Sequence, residues 1–315
     1  MKDCIGIFDS GVGGLGIFQE IKKLLPKENI IYLADSKNCP YGRKSIQQIK
    51  KICWDNTQFL INKGAKIVII ACNTGSTIAL EHVRHRLLHT PRRCMQVPVV
   101  GVVPVVKTAA EVTKNKRIGI LATKATIESK YLRDLVEEFC PKKDGFEVFY
   151  QAANELVNIV ENFSLSHPES FDCHSERSEE SRDKLSEESN NGMRFFTNAQ
   201  NDIKKTLELF IKNGVDVIAL GCTHFPFLRQ QIEQIMGSKV IILDSNGAVA
   251  RQVAKIADSL SLTAYCKAED DKPYAISHIP IHQFYTSGDQ IKLKRQIFHL
   301  IGLKTNVESE ICNFY

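Results

Sequence analysis

Apolar and polar positions along this chain switch repeatedly between a strand-like run and a helical period. Ile5-Gly-Ile-Phe-Asp9 is a short apolar run ending at an acid. Ser10-Gly-Val-Gly-Gly-Leu-Gly16 follows as a glycine-rich turn, and Ile17 to Leu25 reads as a helix closed by Pro26. Ile30 to Ala34 predicts a second strand. The loop Asp35-Ser-Lys-Asn-Cys-Pro-Tyr-Gly42 leads to a helix from about Ser45 to Lys63, and Gly64 ends it ahead of the run Ala65 to Ala71. Strands and helices alternating at this spacing predict an α/β fold with a parallel, doubly wound sheet.

A second series resembles the first. Val97 to Pro104 reads as a strand and turn, Arg117 to Ala122 as a strand with Thr123 opening a polar loop, and Glu147 to Tyr150 as a short strand. Helical patterns cover Asn154 to Glu161 and Ala199 to Asn213, the latter leading into the run Val215 to Gly221. Val240 to Asp244 carries the chain back toward the first unit, with a helix over Ala248 to Leu260, a strand and loop over Ile281 to Asp289, and a last helix over Ile291 to Gly302. The two halves read as pseudo-symmetric domains: 1–97 plus 244–315, and 98–243. Gly6 and Gly119 lie 113 positions apart but Cys72 and Cys222 lie 150 apart, and the 37-residue excess points to an insertion in the second half, visible as the Ser/Glu-rich stretch 164–194. It is too poor in apolar residues to fold alone, so it is expected to be an exposed, disordered insert.

Composition narrows the function. The chain has 315 residues, 43% hydrophobic and 24% charged, with a formal net charge of +5, an ordinary globular balance without the basic stripe of a nucleic-acid binder. No apolar run approaches the ~20 residues that span a membrane. The N-terminus runs into a strand without a signal-peptide core, so a cytoplasmic location is expected. The ten cysteines include no Cys-x-x-Cys pair, so neither a zinc site nor another metal site is expected. Most of them read as small buried residues.

Two cysteines stand apart. Ala65-Lys-Ile-Val-Ile-Ile-Ala-Cys72-Asn73-Thr74 and Val215-Asp-Val-Ile-Ala-Leu-Gly-Cys222-Thr223-His224 end in the same way: an apolar strand, a small residue, a thiol, then short hydrogen-bonding side chains. The residue past a parallel strand sits at the sheet edge where open α/β folds bind ligands. Two such thiols could therefore face each other across one pocket. Neighbouring donors and helix ends are expected to bring a thiol pKa down. Asn73-Thr74 and Thr223-His224 read either as helix N-caps or as donors to those thiols. Asp9 reads equally as a helix cap or a functional acid. The glycine turn lacks GxGxxG spacing, which argues against a dinucleotide, but its N–H groups suit a carboxylate.

Asp9-Ser10-Gly-Val-Gly-Gly-Leu, Pro40-Tyr41-Gly42, Ala71-Cys72-Asn73-Thr74 and Gly221-Cys222-Thr223-His224-Phe-Pro together resemble the glutamate racemases of the cofactor-independent aspartate/glutamate racemase family. The resemblance runs from Ile5 to about Gly302, broken by the insert. It implies two domains with the active site between them, no cofactor, glutamate as the small-molecule partner and a homodimer. It implies that Cys72 and Cys222 exchange the α-proton on opposite faces, Cys72 acting on the D-isomer and Cys222 on the L-isomer, to supply D-glutamate for peptidoglycan. Asp9 and His224 would assist the thiols, with Glu161 a further acid near the second. Asp9, Ser10, Pro40, Tyr41, Gly42, Asn73, Thr74, Thr223 and His224 would hold the substrate. Gly75, where relatives carry Ala or Ser, and Gln151-Ala-Ala-Asn154 depart from the family pattern. Aspartate racemisation, or a catalytically silent binding protein of the same fold, are the alternatives.

Overall fold

A computed structural model describes residues 3–90, 97–162, 200–265 and 280–309. The expected insert at 164–194 lies outside them. Strands β1 (Cys4–Asp9), β2 (Ile30–Ala34), β3 (Ala65–Ile70) and β4 (Val99–Gly101) join β9 (His282–Thr286) and β10 (Val307–Ser309) in one sheet of order β10-β9-β2-β1-β3-β4. Strands β5 (Arg117–Ala122), β6 (Glu147–Ala152), β7 (Val217–Gly221) and β8 (Ile241–Leu243) form a second sheet of order β6-β5-β7-β8. Every pairing is parallel, as the strand–helix alternation predicts. Both faces of a parallel sheet are covered, and β1 accordingly has every residue buried.

Helices α1 (Leu15–Leu24), α2 (Ile46–Asn62) and α3 (Asn73–Leu88) link the first strands. Ser45 starts α2 through a reciprocal capping box with Gln48. Then come α4 (Val106–Val112), α5 (Lys124–Ile127), α6 (Lys130–Phe139) and α7 (Asn154–Asn162), followed by α8 over 200–212, α9 (Arg229–Met236), α10 (Asn246–Tyr265) and α11 (Gln290–Ile301). One apolar cluster contains Ile7 and Ile69 of the first sheet together with Leu121 and Leu220 of the second, so the two units share a core.

The structure departs from the sequence expectations in several places. Val99–Gly101, assigned above to the second unit, is hydrogen-bonded to β3 in the first sheet. The polar loop expected after Thr123 is instead α5, with the Thr123 hydroxyl accepting from the Thr126 N–H as its cap. Helix α1 begins at Leu15 because Leu15 and Gly16 are buried, and that burial outweighs the low helix propensity of glycine. Strand β10 is polar and half-exposed, so no alternating pattern marks it; pairing with β9 makes it a strand.

Candidate active site

Three parallel strands end at one point between the sheets. β1 delivers Asp9, the step after β3 delivers Cys72, and the step after β7 delivers Cys222. Cys72, Asn73, Thr74, Cys222, Thr223 and His224 line one cavity of about 20 Å³, closed by Ser10, Pro40, Tyr41 and Gly42 from the first unit. Thr123 and Val157, which sequence reasoning missed, complete the wall. Both thiols are only 6% exposed.

Neither Asn73 nor His224 is a side-chain cap. Asn73 is the first residue of α3, whose N-cap is Cys72, and both polar atoms of its amide are buried without a partner. Such a group costs free energy until something hydrogen-bonds it. His224 precedes a short 3₁₀ turn and makes no cap bond. Thr74 Oγ1 lies 3.0 Å from Thr123 Oγ1, tying the start of α3 to the second unit.

Asp9 does not cap α1. Its Oδ1 accepts from the Gly11 N–H at 2.8 Å and from Ser10 Oγ at 3.2 Å, and its Oδ2 accepts from Thr223 Oγ1 at 2.9 Å. The carboxylate thus bridges the glycine turn to the residue beside Cys222. Cys72 Sγ lies 3.8 Å from the Ser10 hydroxyl. Burial pushes the Asp9 carboxyl up, opposed by the nearby His224 and by its own hydrogen bonds.

Glu161 is buried rather than exposed, despite the altered Gln151–Asn154 segment before its helix. Its Oε1 lies 2.7 Å from His224 Nε2 and accepts from the Val12 N–H at 2.9 Å. The other ring nitrogen, Nδ1, is 3.8 Å from Cys222 Sγ. Burial alone would lower the His224 pKa, but the bonds to Cys222 and Glu161 outweigh it and hold the ring well above its ordinary value. Burial likewise works against the Glu161 carboxylate, yet His224, Val12 and Gln296 bring its pKa below the ordinary one. The glycine turn therefore does bind carboxylates, and they are the protein's own. A Cβ at Gly11 would fall 1.8 Å from Glu161 Oε1, and one at Gly13 would fall 2.4 Å from Thr223 Oγ1, so the turn approaches both as only glycine allows.

The expectation that both thiols are lowered fails at Cys72. Burial, and then the negative charge of Asp9, push that thiol far up, against a weaker pull from the Gly75 N–H and Ser10. Cys39 also sits at the site, 3.9 Å from Glu161 Oε1, with its thiol raised by burial and the acids around it. It directly precedes the Pro40-Tyr41-Gly42 motif, but no site role was assigned to it from the sequence. Among the described residues no group of three His, Cys, Asp or Glu side chains could hold a metal ion.

The profile of the Asp/Glu/Hydantoin racemase family matches residues 13–253. The chain belongs to this family. It is thereby an isomerase. It is 35% identical to the glutamate racemase of Roseiflexus over 82% of this chain and 80% of that one. It is 30% identical to that of Oceanobacillus iheyensis over 95% and 92%. The crystal structure of glutamate racemase isoform RacE1 from Bacillus anthracis superposes with a TM-score of 0.72 at 25% identity, covering 98% of this chain and 97% of that one. The Francisella tularensis glutamate racemase in complex with D-glutamate gives 0.68 at 25% identity, covering 100% and 99%.

Proposed function

We propose that this family member interconverts L- and D-glutamate by a two-thiol proton transfer without cofactor. The observation that carries the reading is the delivery of Cys72 and Cys222 by two different sheets to one small cavity. A planar carbanion needs an acid and a base on opposite faces. Cys72, held protonated by burial and by Asp9, is set to donate. Cys222 stands against the His224 ring, which takes the thiol proton as an imidazole and, as an imidazolium, returns it. The α-ammonium of a bound amino acid would offset the charge of Asp9 and ease ionisation of Cys72 in the reverse direction. The unpartnered amide of Asn73, with Ser10, Tyr41, Gly42, Thr74 and Thr223, suits the amino and carboxylate groups of the substrate. At about 20 Å³ the cavity holds little more than one water, so it must widen to admit glutamate.

The D-isomer is proposed to serve peptidoglycan, in the cytoplasm, with the chain working as a homodimer. No helix among the described residues is long and apolar enough to cross a membrane. Racemisation of both glutamate enantiomers in deuterated water, with aspartate in parallel, tests the reading. Solvent deuterium should appear at Cα of glutamate, and Cys72→Ser and Cys222→Ser should each abolish turnover. Preference for aspartate, or full turnover by either variant, would refute it.

A further inference from the structure

Gln296 belongs to no motif, yet it is a polar side chain only 2% exposed, on the α11 face that also buries Leu293 and Ile297. Helix α11 packs against α1, β9 and β10 of the first unit. From there the Gln296 amide reaches into the second unit. Its Nε2 donates to the backbone carbonyl of Glu161 at 2.7 Å and to Glu161 Oε2 at 3.1 Å. That carbonyl lies in the last turn of α7 among the described residues. One turn earlier on α11, Lys292 Nζ donates to Asn162 Oδ1 at 3.3 Å. Residues four apart share a helix face, so α11 grips the end of α7 at two adjacent points.

Glu161 has two oxygens with divided duties. Oε1 takes the His224 ring and the Val12 N–H; Oε2 takes Gln296. We propose that Gln296 is a positioning residue for the Cys222 half of the site, fixing the Glu161 carboxylate in the one orientation that serves His224. This rests on the two-thiol reading. The amide fixes the acid at both ends, through its side chain and its backbone, so the carboxylate cannot rotate away without losing a charge-assisted bond. The connection runs Gln296, Glu161, His224, Cys222, and it crosses from one unit to the other. Among the described residues the other titratable groups around the His224–Glu161 pair include Asp9 at the end of β1, Tyr32 in β2 and Cys39 after β2. None of them is hydrogen-bonded to Gln296. The Cys72 half draws instead on Ser10 and the Gly75 N–H. The effect of Gln296 is therefore one-sided.

The test uses the full chain with Gln296→Met, which keeps the length and removes the donor. In that variant kcat/KM should fall about tenfold, the factor that corresponds to one hydrogen bond to a charged group. On the two-thiol reading, the primary isotope effect with α-deuterated substrate should rise for L-glutamate, whose proton Cys222 takes, and fall for D-glutamate, whose abstraction by Cys72 becomes more reversible as the Cys222 step slows. The His224 ring, followed by NMR, should lose its proton at lower pH than in the wild type. Lys292→Met, which loosens the same helix contact, should leave the isotope effects equal to wild type. Unchanged kcat/KM together with an unchanged His224 titration would overturn the proposal. So would a lower Tm with equal isotope effects for both enantiomers, the signature of a helix clamp alone. If Gln296→Met does not fold, Gln296→Leu, which also lacks the donor and adds no charge, carries the same activity and isotope readouts. Should the wild type fail to turn over glutamate, the two-thiol reading falls, and the His224 titration still decides the role of Gln296.

Discussion

Replacing Gly11 with alanine should disable the Cys222 half of the site without touching a thiol. The new methyl would lie 1.8 Å from Glu161 Oε1, and real contacts of this kind essentially never fall under 3.0 Å, so the carboxylate must retreat by more than an ångström. Its bonds to His224 Nε2, at 2.7 Å, and to the Val12 N–H, at 2.9 Å, would both pass the limit of a good hydrogen bond. Gly11 is not in the left-handed region, so the cost is the collision and not backbone strain. Separating a buried ion pair costs about 3–5 kcal/mol. If that appears in the barrier, kcat/KM falls by roughly two to four orders of magnitude. The assay is a double-mutant cycle with Glu161→Ala, read in glutamate racemisation. With the carboxylate gone the methyl has space, so Gly11→Ala should cost little in the Glu161→Ala background. Equal losses in both backgrounds would refute the reasoning.

Tyr41→Phe should cost about 1–3 kcal/mol in chemical denaturation and raise KM, because the buried Asp35 Oδ2 loses a donor at 2.8 Å and the Asn56 amide loses an acceptor at 3.1 Å. A variant as stable as wild type would show that those groups find other partners. The stability advantage of wild type over Glu161→Gln should depend on pH with a fixed sign. Glu161, with its pKa lowered, contributes above its unfolded value of 4.5 and loses this as pH falls through the lower folded value. His224, with its pKa raised, contributes fully below 6.5 and loses this as pH rises through the higher folded value. The advantage in Tm should thus be greatest between pH 4.5 and 6.5, and a minimum there would contradict the ion pair. Gly75→Ala should stay within about 1 kcal/mol of wild type, since better helix propensity offsets contacts of 3.3 Å to Cys53 Sγ and Ile70 Cγ2; a collapse of activity would show that α3 needs a loose first turn.

The strand ends were legible because apolar runs stopping at a small residue and a thiol carry their own punctuation. Cys72 and Cys222 are thereby legible as one pair, while Asp9 and His224 joined them only through the family resemblance. What escaped depends on tertiary packing. Gln296 looks like any polar residue on an amphipathic helix, and only the position of α7 reveals that its face is buried. Glu161 was placed near the second thiol only through the family resemblance; its bond to the Val12 N–H of the glycine turn shows only in the fold. Cys72 was misjudged electrostatically, because the donors around it are visible in the sequence while its burial and the facing Asp9 are not. Helices α4 and α6, on either side of the Arg117–Ala122 strand, were missed because their short lengths carry few turns of helical period.

The pairing of β2 with β9 carries a consequence for synthesis. On its other flank β2 pairs with β1, already made, but the partner that completes the sheet begins at His282. Ribosomes add about 5–20 residues per second, so the edge of Ile30–Ala34 waits on the order of tens of seconds for its neighbour. Those five residues are entirely buried in the finished protein. While the chain is being made they form an open apolar strand, the kind of edge on which aggregation begins. Nascent chains stalled before His282 should therefore be the form that chaperones hold, and full-length chains the form that escapes them.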